Sequence, residues 1–226
     1  MKYIFDGASL QNGRRSNMDS LLLCRRDIDG DSVLLAVVCD GVGSLAEGAF
    51  AAAMAVRMLN EWFGGIQSTE RLGMRLRDEV AAIHEYILES ARASGIETAA
   101  TLSALLLAAD TYCIVHTGDS RVYERAGDTL RRLTVDDVSP SGKLTACIGH
   151  RLEAALQYYE GKAAAGQTFL LCSDGLYKRV GEDVLWMQMG VKKPKDMQRA
   201  IRFLTEYAIE RGERDNISLA LVKIES

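Results

Sequence analysis

Aspartates that follow apolar segments are the residues of this chain best suited to chemistry. Asp40 comes directly after the apolar run 34–39, and Asp174 closes the run 169–173. A carboxylate at the rim of a buried sheet is costly unless it is paired or bound to a cation. Each of these aspartates precedes a glycine, so either one alone could be a turn residue. Two of them in the same setting indicate a shared cation site.

Two further aspartates strengthen this interpretation. Asp119 lies in a turn-like segment just before a predicted strand, and Asp215 comes just before the last predicted strand. Taken singly, each could be a helix cap or a turn residue. Together the four acids form a set with no matching histidines or thiolates. Oxygen-only ligation selects hard cations, Mg²⁺ or Mn²⁺, over zinc.

The composition is that of a globular protein and excludes several classes. The 226 residues are 48% hydrophobic and 26% charged, which predicts one domain over residues 1–226. A net charge of −4 and a pI near 5.5 argue against nucleic-acid binding. We expect no signal peptide and no membrane span, because no apolar stretch is long enough. Five cysteines without a Cys-x-x-Cys pair indicate a reducing compartment, so we expect the cytoplasm.

The elements that must position the acids are strand clusters with long helices between and after them. Apolar runs predict strands over 1–10, 20–25, 33–39, 101–109, 111–116, 121–125, 155–160, 169–172 and 217–224. Helical periodicity predicts helices over 47–63, 68–93 and 196–211. Ser68 is a candidate cap for the second helix, and Asp29-Gly30 is a candidate hairpin turn. This order favours an α+β fold in which antiparallel sheets are covered by helices.

Six short motifs occur in order along the whole chain. They are Arg14-Arg15-Ser16-Asn17-Met18-Asp19, Asp40-Gly41-Val42-Gly43, Thr98-Ala99-Ala100-Thr101-Leu102, Gly118-Asp119-Ser120-Arg121-Val122-Tyr123, Cys172-Ser173-Asp174-Gly175-Leu176 and Arg214-Asp215-Asn216-Ile217. Any one motif is weak, but the ordered set is specific. Together they resemble the motif series of the metal-dependent protein phosphatases of the protein phosphatase 2C type.

The resemblance implies a fold and a set of roles. The fold would be an α-β-β-α sandwich of two packed antiparallel sheets flanked by helices. Two Mn²⁺ or Mg²⁺ ions, or three, would be bound. By this resemblance, Asp40 would bridge two ions, and the Gly41 carbonyl group would bind one of them. Asp174 and Asp215 would bind the other ion, and Asp119 together with Asp174 would hold a third. Asp19 would bind a metal-bound water, and Arg14 would bind the phosphate.

The activity implied by the resemblance is hydrolysis of phosphoserine or phosphothreonine on proteins by a metal-activated water, without a covalent intermediate. Ser173 resembles a nucleophile, but no histidine is spaced to act as its base. The expected partners are phosphorylated proteins, in particular substrates of a partner serine/threonine kinase, and we expect a monomer. Two alternatives remain open at this point: a non-catalytic regulatory module that binds metal or a phosphoprotein, and a phosphatase of small metabolites.

The chain departs from the family pattern in three places. Met18 stands where many relatives have Glu or Gln. Ser44-Leu45-Ala46-Glu47 lacks the histidine that many relatives carry there as a proposed general acid. The segment 135–143 is much shorter than the flap of relatives, which predicts a more open site. His116 and His150 are interpreted as packing or surface residues and not as ligands.

Overall fold

The chain folds into two five-stranded sheets and five helices, in a computed structural model that describes residues 1–43, 45, 47–150 and 155–225. The strands are β1 Tyr3–Leu10, β2 Ser20–Ile28, β3 Asp31–Cys39, β4 Leu102–Ala108, β5 Thr111–Thr117, β6 Arg121–Ala126, β7 Thr129–Arg132, β8 Gln157–Lys162, β9 Thr168–Cys172 and β10 Ile217–Ile224. The helices are α1 Gly48–Gly65, α2 Leu72–Ser94, α3 Asp174–Tyr177, α4 Glu182–Gln188 and α5 Pro194–Glu210.

The two sheets pack face to face, and helices cover their outer faces. One sheet has the order β1-β10-β9-β6-β7 and the other β2-β3-β4-β5-β8, with every neighbouring pair antiparallel. Successive side chains of a strand point to opposite faces. In β3, Leu34 and Val38 therefore pack between the sheets, whereas Leu35 and Val37 pack against α1 and α2. The predicted α-β-β-α arrangement is confirmed.

The strand register gathers the acidic residues at one end of the sandwich. Cys172, at the end of β9, is paired with both Leu219 near the start of β10 and Arg121 at the start of β6. In the other sheet β3 ends at Cys39, just before Asp40. Because antiparallel neighbours alternate in direction, the end of one strand lies beside the start of the next. The loops that carry the acids therefore meet at the same edge.

The hairpin prediction is confirmed, but the predicted start of the second helix is wrong. Asp29 and Gly30 both have positive φ and join β2 to β3 in a two-residue turn. The helix α2 begins at Leu72, after Arg71 in a left-handed conformation with φ 49°. That conformation interrupts the helix before it reaches Ser68. The Ser68 hydroxyl accepts a hydrogen bond from the Glu70 N–H instead, at 3.2 Å.

The segment between Lys178 and Lys195 contains α4 and the first turn of α5, and the sequence patterns above did not predict α4. The α4 helix has only seven residues and buries Val184 and Leu185. Such a short helix shows too few apolar positions to establish a period. Within the described part of the chain, none of the helices combines the length and the apolar character needed to cross a bilayer.

Candidate metal centre

A cleft of about 140 Å³ at the gathered end of the sandwich contains most of the predicted site residues. Arg14 and Met18 from the β1–β2 loop, and Asp40 and Gly41 after β3, form one part of its lining. The remainder comes from residues 42, 43, 101, 119, 144, 174 and 215. Six of the seven predicted site residues are thus brought together around one opening. The seventh, Asp19, lies behind them.

Asp40 is the most enclosed acid of the cleft. Its N–H donates to the Thr101 hydroxyl at 3.0 Å, and its carbonyl accepts from the Thr101 N–H at 2.9 Å. Protein surrounds the side chain on most sides, although part of it is still accessible from the cleft. Burial, followed by the charges of Asp19, Asp174, Asp119 and Asp215, raises the pKa of Asp40 well above its ordinary value.

Gly41 is required by a close approach of three chain segments. A Cβ atom at this position would lie 2.6 Å from the Gly48 carbonyl oxygen and 2.7 Å from that of Met18. Any side chain would push α1 or the β1–β2 loop away from the cleft. The glycine therefore keeps the backbone of residues 40–41 against both neighbours, at the lining of the cleft.

Asp19 is held by buried hydroxyl groups and does not face the solvent. Ser173 is fully buried, and its hydroxyl donates to Asp19 Oδ2 at 2.9 Å. The same hydroxyl oxygen accepts from the Ser218 N–H at 3.0 Å. Burial raises the pKa of Asp19 to about 6, although hydrogen bonds from Ser218 and Ser173 oppose the rise. Ser173 thus positions Asp19, which agrees with its interpretation as a structural neighbour of the acids.

Asp174 opens α3 and is paired with a cation. Lys178 Nζ lies 2.5 Å from Asp174 Oδ2, one helical turn later. Burial alone would lower the pKa of Lys178, but this hydrogen bond and the charges of Asp174, Asp119 and Asp215 raise it. A Cβ atom on Gly175 would lie 2.0 Å from the Asn216 carbonyl oxygen, so α3 is pressed against the segment that carries Asp215.

Asp119 occupies the turn between β5 and β6, next to the shortened flap. Gly118 has φ 103°, a conformation that favours glycine. Its N–H donates to Asp137 Oδ2 at 2.9 Å, and its carbonyl accepts from the Asp137 N–H at 2.8 Å. Burial and the charge of Asp174 raise the pKa of Asp119 to about 6. The flap is thereby fixed beside Asp119 by both the backbone and the side chain of Asp137.

Arg14 and Asp215 form a two-point ion pair across the mouth of the cleft. Arg14 Nε lies 2.7 Å from Asp215 Oδ1, and Nη2 lies 2.6 Å from Oδ2. Burial would raise the pKa of Asp215, but the hydrogen bonds from Arg14 and from the Asn216 N–H outweigh it, and the pKa is lowered. Arg14, the residue predicted to bind phosphate, is thus paired with Asp215, a predicted metal ligand.

Asn216 is a structural residue of the site that the sequence reasoning missed. Its side-chain amide donates to the carbonyl groups of Gln11 and Ser16 at 2.7 and 3.0 Å, and its Oδ1 accepts from the Met18 N–H at 3.0 Å. These bonds fix the loop that carries Arg14. The available signal was the position of Asn216, directly after Asp215. Lys178 was also missed, and its spacing of four residues from Asp174 on a short helix was the signal.

The remaining expectations concern residues at or beyond the edge of the cleft. Met18 lines the cleft, where the family pattern has a polar side chain. His116 is buried between the Ser103 hydroxyl and the Val135 carbonyl group, which confirms that it is a packing residue. His150 lines a different cavity, beside the C-terminal end of α2. Of the segment predicted to lack the general-acid histidine, Ser44 and Ala46 lie outside the described residues.

The donor set fits hard divalent cations. The charges of five carboxylates affect one another in and behind the cleft, and the basic side chains paired with them are Arg14 and Lys178. Among the described residues, no three acidic, histidine or cysteine side chains are drawn together tightly enough to enclose one ion. The acids instead face the cleft from separate walls, and two of them are engaged by basic groups. A buried acid among like charges is stabilised by a bound cation, and oxygen donors suit Mg²⁺ or Mn²⁺.

Comparison with known proteins agrees with this geometry. Residues 7–222 match the sequence model of the family described as Protein phosphatase 2C. The chain is 29% identical over 223 residues to the serine/threonine phosphatase stp of Listeria welshimeri, covering 85% of both proteins. It is 28% identical over 213 residues to the serine/threonine protein phosphatase PstP of Mycobacterium tuberculosis, covering 84% of this chain but only 40% of PstP.

Solved structures share the fold over almost the whole chain. The crystal structure of the PstP catalytic domain in complex with two manganese ions superposes with a TM-score of 0.83 at 24% identity and 99% coverage of both chains. PppA of Pseudomonas aeruginosa, described as a key regulatory component of T6SS, superposes with a TM-score of 0.83 at 25% identity, over 99% of this chain and 98% of that one.

Proposed function

This chain belongs to the protein phosphatase 2C family, and we propose that it hydrolyses phosphoserine and phosphothreonine on proteins with the help of bound Mn²⁺ or Mg²⁺. The observation that carries the proposal is Asp40. It is a largely buried carboxylate among four other acids, at the floor of an open cleft, and it has no ion-pair partner among the described residues. At neutral pH a carboxylate in this setting is stabilised either by a retained proton or by bound divalent ions.

Each acid has a proposed role in holding the ions. Asp40 would bridge two of them, with the Gly41 carbonyl group as a further ligand, and Asp174 and Asp215 would serve the other ion. Asp119 and Asp174 are the candidates for a third. Asp19, oriented by the Ser173 hydroxyl, would position a water molecule. When bound, the ions supply a water of lowered pKa and offset the charge of the phosphoryl group.

Arg14 would position the substrate, and the buried Ser173 and Cys172 beside the cleft argue against a covalent route. The guanidinium fork of Arg14 can bind two phosphoryl oxygens once it releases Asp215. The Ser173 hydroxyl is buried and already donates to Asp19. Burial raises the pKa of the Cys172 thiol to about 12, so this thiol stays protonated at neutral pH. Water is therefore the nucleophile that the cleft favours.

A protein substrate is supported by the names of the relatives and by the shape of the flap. The flap between β7 and β8 is a small turn in which Val138 is bridged to Leu144. It leaves the cleft open enough for a phosphorylated residue on a protein surface. We also propose that the substrates are phosphorylated by a partner serine/threonine kinase, and that the protein acts in signalling, as a monomer, in the cytoplasm.

A manganese-dependent phosphopeptide assay tests the proposal. The metal-free protein should release phosphate from a phosphothreonine peptide only after Mn²⁺ or Mg²⁺ is added. Turnover of p-nitrophenyl phosphate would exclude a non-catalytic regulator. A faster reaction with a panel of small phosphorylated metabolites than with phosphopeptides would point to a metabolite phosphatase. Full activity in excess EDTA would rule out the metal mechanism itself.

A further inference from the structure

Lys178 is a cation built into the carboxylate cluster that the proposed chemistry leaves without a role. Its Nζ lies 2.5 Å from Asp174 Oδ2, and its charge also acts on Asp119 and Asp215. Asp119 and Asp174 are the two residues that would share a third ion. A positive charge of the protein itself therefore lies beside the pair of acids that would hold that ion.

The α3 helix fixes this position. Residues four apart lie on the same side of a helix, so Lys178 is directed back over Asp174. The Lys178 N–H also donates to the Asp174 carbonyl at 3.1 Å. The close contact between Gly175 and the Asn216 carbonyl prevents α3 from moving toward the last strand. The lysine is thus held over the acids by the fold and does not depend on a flexible loop.

Asp174 can bind an ion without releasing Lys178. The lysine engages Oδ2, and a carboxylate has lone pairs on both oxygens. Arg14 differs, because it occupies both oxygens of Asp215. Binding of the one ion that Asp215 would hold therefore competes with Arg14, whereas Lys178 can stay in place and keep its charge beside Asp119.

We propose that the Lys178 ammonium group takes the place of a third divalent cation, so that this chain binds two ions and not three. The inference rests on the proposed metal-dependent function. A divalent ion placed between Asp119 and Asp174 would be repelled by the ammonium group that already contacts Asp174, and solvent around the half-exposed lysine screens only part of this repulsion. Asp119 would receive its compensating charge from the side chain and not from solution.

Counting bound ions on the metal-free protein tests this inference. We would titrate wild type, Lys178→Met and Lys178→Arg with Mn²⁺ alone and determine stoichiometry by calorimetry and native mass spectrometry. Wild type and Lys178→Arg should bind two ions. Lys178→Met, which keeps the length of the side chain without its charge, should bind a third at least about tenfold more tightly than wild type does.

Two further variants locate the effect. Lys195→Met removes an exposed lysine from the first turn of α5 and should bind two ions, as wild type does. Adding Asp119→Asn to Lys178→Met should abolish the third ion, because the substitution removes one of its ligands.

Three outcomes would overturn the inference. Wild type could bind three ions over the same concentration range, a result that leaves the proposed function intact and requires no variant to fold. The third ion could bind wild type and Lys178→Met equally well, or Lys178→Met could still bind only two. Failure of wild type to bind any ion would overturn the proposed function as well.

Discussion

The acids of the cleft come from both sheets, and their burial and ion pairing differ between the two sheets. Asp40 extends β3, is largely buried, and has no cation within ion-pair distance among the described residues. Asp174 and Asp215 lie beside β9 and β10, are partly exposed, and are paired with Lys178 and Arg14. The region around Asp40 is destabilised by repulsion among the acids until divalent ions bind. The region around Asp174 and Asp215 is stable without ions, but Arg14 must move for the site to work.

This difference indicates which part of the site depends most on metal. Burying a carboxylate among like charges costs free energy, and the cost is tolerated where a bound cation offsets it. The half-exposed pair of Arg14 with Asp215 contributes little to stability, so Arg14 can exchange this partner at low cost. Substitution of Asp40 should therefore affect ion binding most, and substitution of Arg14 should affect substrate binding most.

The largest expected effect is on turnover. Asp40→Asn should lower kcat by about a thousandfold or more, because the amide cannot bridge two ions. Asp174→Asn should have an effect of similar size. Both proteins should remain folded, since an amide fills the same space without adding a charge, and circular dichroism checks this. A variant of Asp40 that retains wild-type turnover would show that this region is not the metal site.

Arg14→Ala should act on the substrate and not on the ions. We expect KM for a phosphopeptide to rise by about ten- to a hundredfold, because the two-point contact with the phosphoryl group is lost. Metal affinity should change little, because the half-exposed pair of Arg14 with Asp215 costs little to break. Arg14→Lys, which keeps the charge but not the planar fork, should recover only part of the loss. An unchanged KM combined with a lost ion would mean that Arg14 serves the metal site through Asp215.

The stability of the metal-free protein should fall as pH rises. The pKa values of Asp19 and Asp119 are raised to about 6, above the ordinary value of 3.8. The folded state therefore binds more protons than the unfolded state between these values, and stability decreases from about pH 4 to pH 6. The raised pKa of Asp40 extends the decrease to higher pH.

Melting temperatures in EDTA measure this effect. The Tm should be higher near about pH 5.5 than near about pH 7.5, with saturating Mn²⁺ cancelling the difference because the ions favour the charged carboxylates. A change in Tm between these pH values that is the same in EDTA and in saturating Mn²⁺ would contradict the burial of uncompensated acids.

The smallest expected effect is on sequence preference. The flap is only a short turn beside Asp119, so few side chains there can contact residues that flank the phosphate. We expect kcat/KM values for unrelated phosphothreonine peptides to fall within about tenfold of one another, roughly 1.4 kcal/mol. The alternative surface for recognising the residues that flank the phosphate is the segment 178–195, where Met187 of α4 is 56% exposed. A spread of several hundredfold that collapses when this segment is altered would place specificity there.

The sequence predicted the acids that end the core strands better than the contacts between the loops around them. Asp40 and Asp174 could be recognised because each ends an apolar strand, a local pattern that survives folding. The pairing of Arg14 with Asp215 joins residues 201 positions apart, and no local pattern encodes such a contact. The cap at Ser68 was predicted wrongly because the left-handed conformation of Arg71 is set by tertiary context and not by residue type.

The strands β1 and β10, which flank the site, come from near opposite ends of this sequence and pair along their whole length. Asn12 and Asn216 then join the two flanking loops: the Asn12 amide donates to the Glu213 and Asp215 carbonyl groups, both at 2.9 Å. During synthesis, the loop with Arg14 leaves the ribosome long before its partners exist. A nascent chain that lacks β10 should therefore be unable to hydrolyse phosphoproteins, and activity should appear abruptly once the last strand has docked.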